Sequence, residues 1–108
     1  MSNFIKLEKL DNFSPFEGMK AKLVHTATQT FAFWEIEDGT ILPTHQHYHE
    51  QVSYITKGEL QLTIKDKTQI LCEGMFVVIP PNTDHSAKAL TKVSLTDVFS
   101  PVREDFPQ

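Results

Sequence analysis

The chain has 108 residues, which suits one domain, because a second domain would leave each half too small to bury a useful core. Hydrophobic residues form 40% of the chain and charged residues 22%, a balance that is ordinary for a globular protein and too apolar for a disordered one. The formal net charge of −4 lacks the basic excess of nucleic-acid-binding proteins, and no run approaches the roughly 20 apolar residues of a membrane helix, so neither partner is expected.

Residues 1–10 alternate polar and apolar side chains, so no secretory signal or anchor is expected there. Cys72 is the only cysteine, which excludes an internal disulfide, and its strand-like surroundings predict a small buried side chain. Both features favour a cytoplasmic protein. No repeat or linker interrupts the sequence, so we expect one domain over residues 1–108, with an amino-terminal strand or arm at 1–20, a barrel at 21–100 and a carboxy-terminal tail at 101–108.

Short strand patterns separated by turn signals follow one another along the chain. The predicted strands cover residues 21–24, 30–36, 41–47, 51–56, 60–64, 68–71, 75–79, 87–90 and 92–99. The register is clearest at 60–64, where Leu60, Leu62 and Ile64 alternate with polar residues. No segment shows a helical period. The pattern predicts an all-β sandwich or barrel, and a jelly roll is the form that closes so many short strands in this length.

Residues 75–79 are apolar at every position. Such a run is typical of a strand that is covered on both sides, either by a second sheet or by another subunit. Together with the exposed edges that sheets of short strands present, it favours a homodimer.

Histidines supply the first sign of a function. His45 and His47 lie at i and i+2 of a predicted strand, so both rings would project from one face and could share one ion, although such pairs also occur as solvated surface groups. His85 directly follows the turn at 80–82, at the start of a strand that could close over this pair. Three convergent imidazoles predict one divalent metal ion inside the barrel. His49 is expected to be solvated or to support the ligands, and His25 to be structural.

The residue that completes this ligand set is open from the pattern alone. Gln51 has the same parity as His47, whereas Glu50 reaches that face only if the chain bends between them. Imidazoles suit zinc, iron, nickel, copper and manganese, and the spacing does not choose among these ions.

A second candidate group lies in the last predicted strand. Asp97 shares one face with Val93, Leu95 and Phe99, so its carboxyl group points inward. An unpaired carboxylate is costly in an apolar setting. Either it pairs with Arg103 or a backbone donor and fixes the tail, or it is a general acid/base whose pKa is set by burial near the metal.

These residues together resemble the cupin family. The spacing of the first cupin motif is matched by Gly39, His45, His47, Gln51 and Gly58, and that of the second by Gly74, Pro80, Asn82 and His85. The resemblance implies a cupin-type jelly-roll β-barrel in a single domain, a homodimer, and metal ligation by His45, His47, His85 and the residue at position 51. Many cupins carry glutamate at position 51 and glycine at position 82. Because an amide oxygen is neutral, Gln51 would leave the ion its full charge, and Glu50 is the fallback ligand.

The ending at residues 97–106 resembles that of the small cupins of the pectin-degradation type, which open the ring of 4,5-unsaturated uronates. The resemblance implies that Asp97, Phe99 and Arg103 line the active site. We expect an enzyme of uronate metabolism that converts 4,5-unsaturated monouronates, small anionic sugars from pectin or alginate, into 5-keto-4-deoxyuronate. Asp97 would move the protons, the planar fork of Arg103 would hold the substrate carboxylate, and Phe99 would form an apolar wall. The expected cofactor is one ion of zinc, iron, nickel or manganese.

Two other functions compete with this expectation. An iron-dependent cupin dioxygenase would need Glu50 to take the place of Gln51, because such sites generally combine histidines with a carboxylate. A non-catalytic sugar-binding or sensing module would need only the pocket.

Overall fold

The computed structural model describes residues 3–108, and short antiparallel strands dominate this part of the chain. The elements are a single-turn 3-10 helix at Leu7–Lys9 and the strands β1 Met19–His25, β2 Thr30–Ile36, β3 Ile41–His45, β4 Glu50–Lys57, β5 Leu60–Ile64, β6 Lys67–Leu71, β7 Phe76–Ile79, β8 His85–Ala89 and β9 Val93–Ser100. No helix within residues 3–108 has the length and apolarity needed to span a membrane.

The strands form two antiparallel sheets that pack face to face. One has five strands in the order β1-β2-β9-β4-β7, and the other has four in the order β3-β8-β5-β6. Alternate side chains of both sheets point into the space between them, which is the arrangement expected of a jelly roll. The predicted all-β barrel is confirmed. The buried core contains Met19, Ala21, Ala32, Trp34, Ile36, Ile55, Leu60, Leu62, Leu71, Ile79, Ala89, Val93, Leu95 and Phe99.

Most predicted strands agree with the observed ones to within one or two residues. Two differences matter. β1 begins at Met19, inside the segment expected to be an arm, and β3 ends at His45 rather than at His47. The rest of the arm holds the 3-10 helix and an isolated bridge between Phe13 and Ala21, while its first two residues lie outside the described part of the chain.

The burial predicted for Cys72 is wrong. β6 ends at Leu71, and Cys72 is an exposed thiol in the turn that follows, where its Sγ atom lies 3.7 Å from the sulfur of Met75. The strand ends one residue before Cys72, so the side chain is not packed against the core.

The register of the five-stranded sheet places polar side chains beside each other on its inner face. β9 pairs with β4 so that Gln51 lies opposite Phe99 and Ser53 lies opposite Asp97. All four residues are buried. The inner face therefore carries a polar patch in the middle of an otherwise apolar core.

The outer face of the same sheet is apolar. One cross-strand row joins β2, β9, β4 and β7 through Phe31, Val98, Val52 and Val78, and a neighbouring row contains Phe33, Thr96, Tyr54 and Phe76. Within residues 3–108 nothing covers the β7 end of these rows, where Phe76 is 60% exposed and Val78 49% exposed. Residues 75–79 were expected to be covered on both faces. The described part of this chain covers only the inner face of the strand.

Candidate metal centre

A cavity of about 330 Å³ lies between the two sheets. Apolar side chains from both sheets form most of its wall, among them Met19, Trp34, Ile36, Leu60, Leu62 and Leu95. The predicted site residues His45, Gln51, His85, Asp97, Phe99 and Arg103 line it as well, together with Ser53 and Phe106. The fold thus brings these site residues, which lie far apart in the sequence, to the wall of one cavity.

Three of the histidines converge beside this cavity. His45 ends β3 and pairs directly with His85, the first residue of β8, as the position of His85 after the turn predicts. The ring centroids of His45 and His85 are 4.2 Å apart, and those of His47 and His85 are 5.1 Å apart. The strand argument for His47 is wrong, because His47 lies beyond the end of β3. Its ring reaches the others from the connection between β3 and β4, with its centroid 6.0 Å from that of His45.

Backbone contacts fix the tautomer of all three rings. The Nδ1 atoms of His45, His47 and His85 lie 2.9, 3.0 and 2.8 Å from the carbonyl oxygens of Pro43, His49 and Thr83. A carbonyl can only accept, so each Nδ1 carries a proton, and in the neutral ring the lone pair is on Nε2. Metal-binding histidines usually hold their other ring nitrogen in this way.

The lone pairs point to a common place. Ligand atoms of the three histidines lie within 4.8 Å of one another, and the Nε2 atom of His85 is buried without a hydrogen-bond partner. An unpartnered buried nitrogen is costly unless a donor or cation occupies the site. The three rings therefore fit one divalent metal ion.

Gln51 adds a fourth suitable atom. Its Oε1 atom lies 3.0 Å from the Nε2 atom of His47. With the proton of His47 on Nδ1, both of these atoms carry only lone pairs, so they cannot form a neutral hydrogen bond with each other. Two ligand atoms that are each about 2.1 Å from one ion and at right angles lie about 3 Å apart, so the separation is that of neighbouring ligands. The candidate donor set is therefore three imidazoles and one amide oxygen.

Burial favours the neutral form of two of these imidazoles, those of His47 and His85. It lowers the pKa of His85 to about 4, an effect that the hydrogen bond to Thr83 opposes. Burial also lowers the pKa of His47, with a further contribution from the positive charge of Arg103. At neutral pH both rings are in the neutral form, which is the state that a metal ligand requires.

Asp97 is buried in the same cavity. Its Oδ1 atom accepts a hydrogen bond of 2.5 Å from the hydroxyl of Ser53. Burial raises the pKa of Asp97 to about 6, although hydrogen bonds from Ser53, Gln51 and Trp34 act in the opposite direction. The partner expected for a purely structural Asp97 was Arg103 or a backbone donor, whereas the observed partners are side chains of β4 and β2. A carboxyl group with such a pKa can exchange a proton near neutral pH.

Arg103 is held at the wall of the cavity by the tail itself. Its Nε and Nη2 atoms each donate a 2.9 Å hydrogen bond to Asp105, and this ion pair lowers the pKa of Asp105 to about 2. The guanidinium carbon lies 4.6 Å from the ring centre of Phe99 and 4.0 Å from that of Phe106. One edge of the predicted fork is therefore already occupied, and Nη1 with the second Nη2 proton remains for a ligand.

The remaining candidates have other surroundings. Glu50 is exposed, and by the alternation of β4 its side chain lies on the face opposite to Gln51. His25 bridges Thr30 and the carbonyl of Pro107 at 2.8 Å each, in agreement with the structural role expected for it. The proposed fallback ligand is thus outside the cluster.

His49 is buried and not solvated. Its Nε2 atom lies 3.2 Å from the carbonyl oxygen of Val102, and its ring stacks on Tyr48, whose hydroxyl donates to Glu104. These contacts tie the connection between β3 and β4 to the tail that carries Arg103. Sequence reasoning also missed Ser53 and Phe106, although Ser53 has the same parity as Gln51 and could have been found by that signal.

Known proteins share this architecture over nearly its full length. The Cupin domain family matches residues 32–99. A pectin degradation protein, KdgF of Dickeya dadantii (strain 3937), is 29% identical over 104 residues, which cover 90% of this chain and 94% of that protein. The structure of KdgF from Halomonas sp. superposes with a TM-score of 0.89 at 27% identity, covering 97% of this chain and 98% of the other. An RmlC-like cupin from Shewanella frigidimarina NCIMB 400 gives a TM-score of 0.90 at 28% identity, with coverage of 97% and 96%.

Proposed function

Because the chain belongs to the cupin domain family, whose model spans residues 32–99, we propose that its histidine cluster serves a metal-dependent enzyme. The reaction is the opening of the ring of 4,5-unsaturated monouronates from pectin or alginate, which gives 5-keto-4-deoxyuronate. The observation that carries this proposal is that Asp97 lines the same cavity as His45, His85 and Gln51, whose cluster His47 completes. The similarity to two KdgF proteins, one of them named for pectin degradation, supports the substrate class.

The metal would be held by the Nε2 atoms of His45, His47 and His85 and by Oε1 of Gln51. A bound zinc, iron, nickel or manganese ion acts as a Lewis acid that stabilises negative charge on substrate oxygens. All four ligand atoms are neutral, so the protein does not reduce the charge of the ion. Such a centre attracts an anionic substrate such as a uronate.

Asp97 carries the proton transfers. In its ionised form it removes the proton from the anomeric hydroxyl of the substrate, the bond between C1 and the ring oxygen breaks, and C1 becomes an aldehyde. The ring oxygen remains on C5 as an enolate, and Asp97 returns the proton to C4, which makes C5 a ketone. One proton leaves oxygen and one arrives at carbon, so the reaction is an isomerisation that needs no oxidant and regenerates the carboxylate.

The walls of the cavity orient the sugar. The free edge of Arg103 is available to the substrate carboxylate, while Asp105 holds the other edge and keeps the guanidinium close to the rings of Phe99 and Phe106. Phe99 presents its ring to the cavity as an apolar surface for one face of the sugar. Binding and orientation thus come from the tail and β9, and proton transfer from the middle of β9.

The dioxygenase alternative loses its carboxylate ligand, because Glu50 is exposed on the opposite face of β4 from Gln51. A non-catalytic sugar-binding module would use the same cavity and remains the outcome against which the proposal is tested.

The test is a spectroscopic assay with fresh 4,5-unsaturated galacturonate. Metal-loaded protein should accelerate the loss of absorbance from the conjugated alkene beyond the spontaneous rate measured without protein, and a chelator should abolish the acceleration. Uronate that binds but is not altered would replace the enzyme with a binding module. Consumption of oxygen during turnover would point to the dioxygenase.

The proposal includes a cytoplasmic homodimer whose subunits meet through the outer face of the five-stranded sheet. The two apolar rows on that face, led by the exposed side chains of Phe76 and Val78, support a contact between copies. Light scattering at micromolar concentration tests it, because a monomer under these conditions would contradict the dimer.

A further inference from the structure

Three buried side chains form a chain of hydrogen bonds from the histidine cluster to the carboxylate. The Nε2 atom of Gln51 donates to the hydroxyl oxygen of Ser53 at 3.0 Å, and that hydroxyl donates to Oδ1 of Asp97 at 2.5 Å. The other end of the Gln51 amide, Oε1, faces the Nε2 atom of His47. Ser53 is therefore the link between a candidate metal ligand and the candidate acid/base.

The direction of this chain is set by the single proton of a hydroxyl group. Because the proton of Ser53 is directed to Asp97, the oxygen of Ser53 can only accept from Gln51. A group that donates to Ser53 must be the NH₂ end of the amide, so the oxygen end is turned to the histidines. If the amide were rotated by 180°, its oxygen would face the oxygen of Ser53 with no proton between them.

We propose that Ser53 is a positioning residue that turns the amide of Gln51 so that its oxygen faces the metal. The proposal rests on the metal centre proposed above, and it assigns to Ser53 a role that the cupin motifs do not contain. Ser53 itself touches neither the metal nor, by this proposal, the reacting atoms of the substrate. It acts through Gln51, which carries the ligand atom, and it occupies its position because β4 and β9 pair Ser53 directly with Asp97.

Removing the hydroxyl should affect the ligand and not only the fold. In Ser53→Ala, the NH₂ group of Gln51 loses its nearest acceptor, and only Asp97 remains to hold that end of the amide. Groups that orient metal ligands are worth about 10- to 100-fold in metal affinity, and because Asp97 remains we expect a loss of about tenfold. Ser53→Thr keeps the hydroxyl, and its extra methyl group enters the cavity that Ser53 lines.

The experiment titrates Co²⁺ into the wild-type protein and three variants, and records the affinity and the visible absorption of the bound ion. Ser53→Ala should bind Co²⁺ about tenfold more weakly with a changed spectrum, whereas Ser53→Thr should restore both properties. Ser94→Ala is the matched control, because Ser94 lies on β9 and its hydroxyl donates to Glu35 at 2.9 Å, outside the cavity. Unchanged affinity and an unchanged spectrum in Ser53→Ala would overturn the proposal.

A second measurement needs no variant and no metal. In the nuclear magnetic resonance spectrum of the wild-type protein, the side-chain NH₂ protons of Gln51 should exchange slowly and show contacts to the β protons of Ser53. Contacts of these protons to the ring of His47 instead would overturn the proposal even if Ser53→Ala does not fold. Failure of the uronate assay alongside normal Co²⁺ binding would reject the enzyme but not the role of Ser53, whereas wild-type protein that binds no Co²⁺ would reject both.

Discussion

The two faces of the five-stranded sheet each depart locally from the usual distribution of polarity. Toward the core, β4 and β9 place Gln51, Ser53 and Asp97 side by side, where apolar side chains would pack better. Toward the outside, the same two strands contribute Val52 and Val98 to an apolar row. The polar patch inside supports the proposed ligand, and the apolar rows outside support the proposed second subunit.

The largest expected effect is on the inner face, from Asp97→Asn. An amide cannot take or return the proton, and general acid/base groups contribute about 10² to 10⁴ in rate, so turnover of unsaturated galacturonate should fall by about 1,000-fold. The Co²⁺ affinity should remain within about tenfold of wild type, because Asp97 supplies no ligand atom. Asp66→Asn, in the exposed β5–β6 turn, is the control and should keep full activity. Turnover that survives in Asp97→Asn would remove the assigned role.

The next largest effect is on the pH dependence of the free energy of unfolding, because burial disfavours the ionised form of the same carboxyl group. The pKa of Asp97 is about 6 in the folded protein against an ordinary value of 3.8, so the folded state holds a proton that the unfolded chain has released. The stability that this group contributes is present below pH 4 and is lost as the pH rises through 6. A rise of about two pKa units corresponds to roughly 3 kcal/mol.

Asp97→Asn should escape this loss. The free energy of unfolding of the metal-free variant minus that of the metal-free wild type should therefore increase by roughly 3 kcal/mol between pH 3 and pH 7. Urea unfolding at several pH values measures it, and the subtraction removes the contribution of other groups such as His85. A difference that stays constant with pH would show that burial does not disfavour the carboxylate.

Binding of a metal ion at the inner face should raise the free energy of unfolding by a slightly smaller amount. A ligand that binds only the folded state adds about 2.7 kcal/mol at a free concentration 100 times its dissociation constant. His45→Ala should lose most of this gain, and because His45 is exposed its removal should leave the metal-free stability nearly unchanged. Urea unfolding with and without metal tests both statements. Equal stabilisation of wild type and variant would exclude His45 as a ligand.

The sequence predicts the two faces unequally well. Alternation along β2 and β5 defines their bounds, because each strand has one buried and one less buried face. The site is harder to predict, because it is formed by contacts between strands that are distant in the sequence. His47 joins the cluster after β3 has ended, Ser53 meets Asp97 only through the register of β4 and β9, and Arg103 is paired with Asp105. A local pattern contains neither the register nor the path of a connection, so it predicts candidate ligands more readily than the residues that support them.

The smallest expected effect is on the outer face and comes from Val78→Lys. Val78 ends the row that contains Phe31, Val98 and Val52, and its side chain is exposed in the single chain, so a lysine should be tolerated by the monomer. In a dimer that buries this face, an unpaired ammonium group should weaken association by at least about tenfold. Ile41→Lys is the matched control, since it replaces an exposed apolar residue of β3 in the other sheet.

Light scattering across a concentration series should show dissociation of Val78→Lys and not of Ile41→Lys. The uronate-opening rate per subunit should stay at the wild-type value in both variants, because Val78 projects from the face opposite to its neighbour Ile79, which pairs with Gln51. If both lysine variants remain dimeric, the subunits do not meet through this face. If Val78→Lys also loses turnover, the two faces are coupled, and the inner site depends on the partner that covers the outer one.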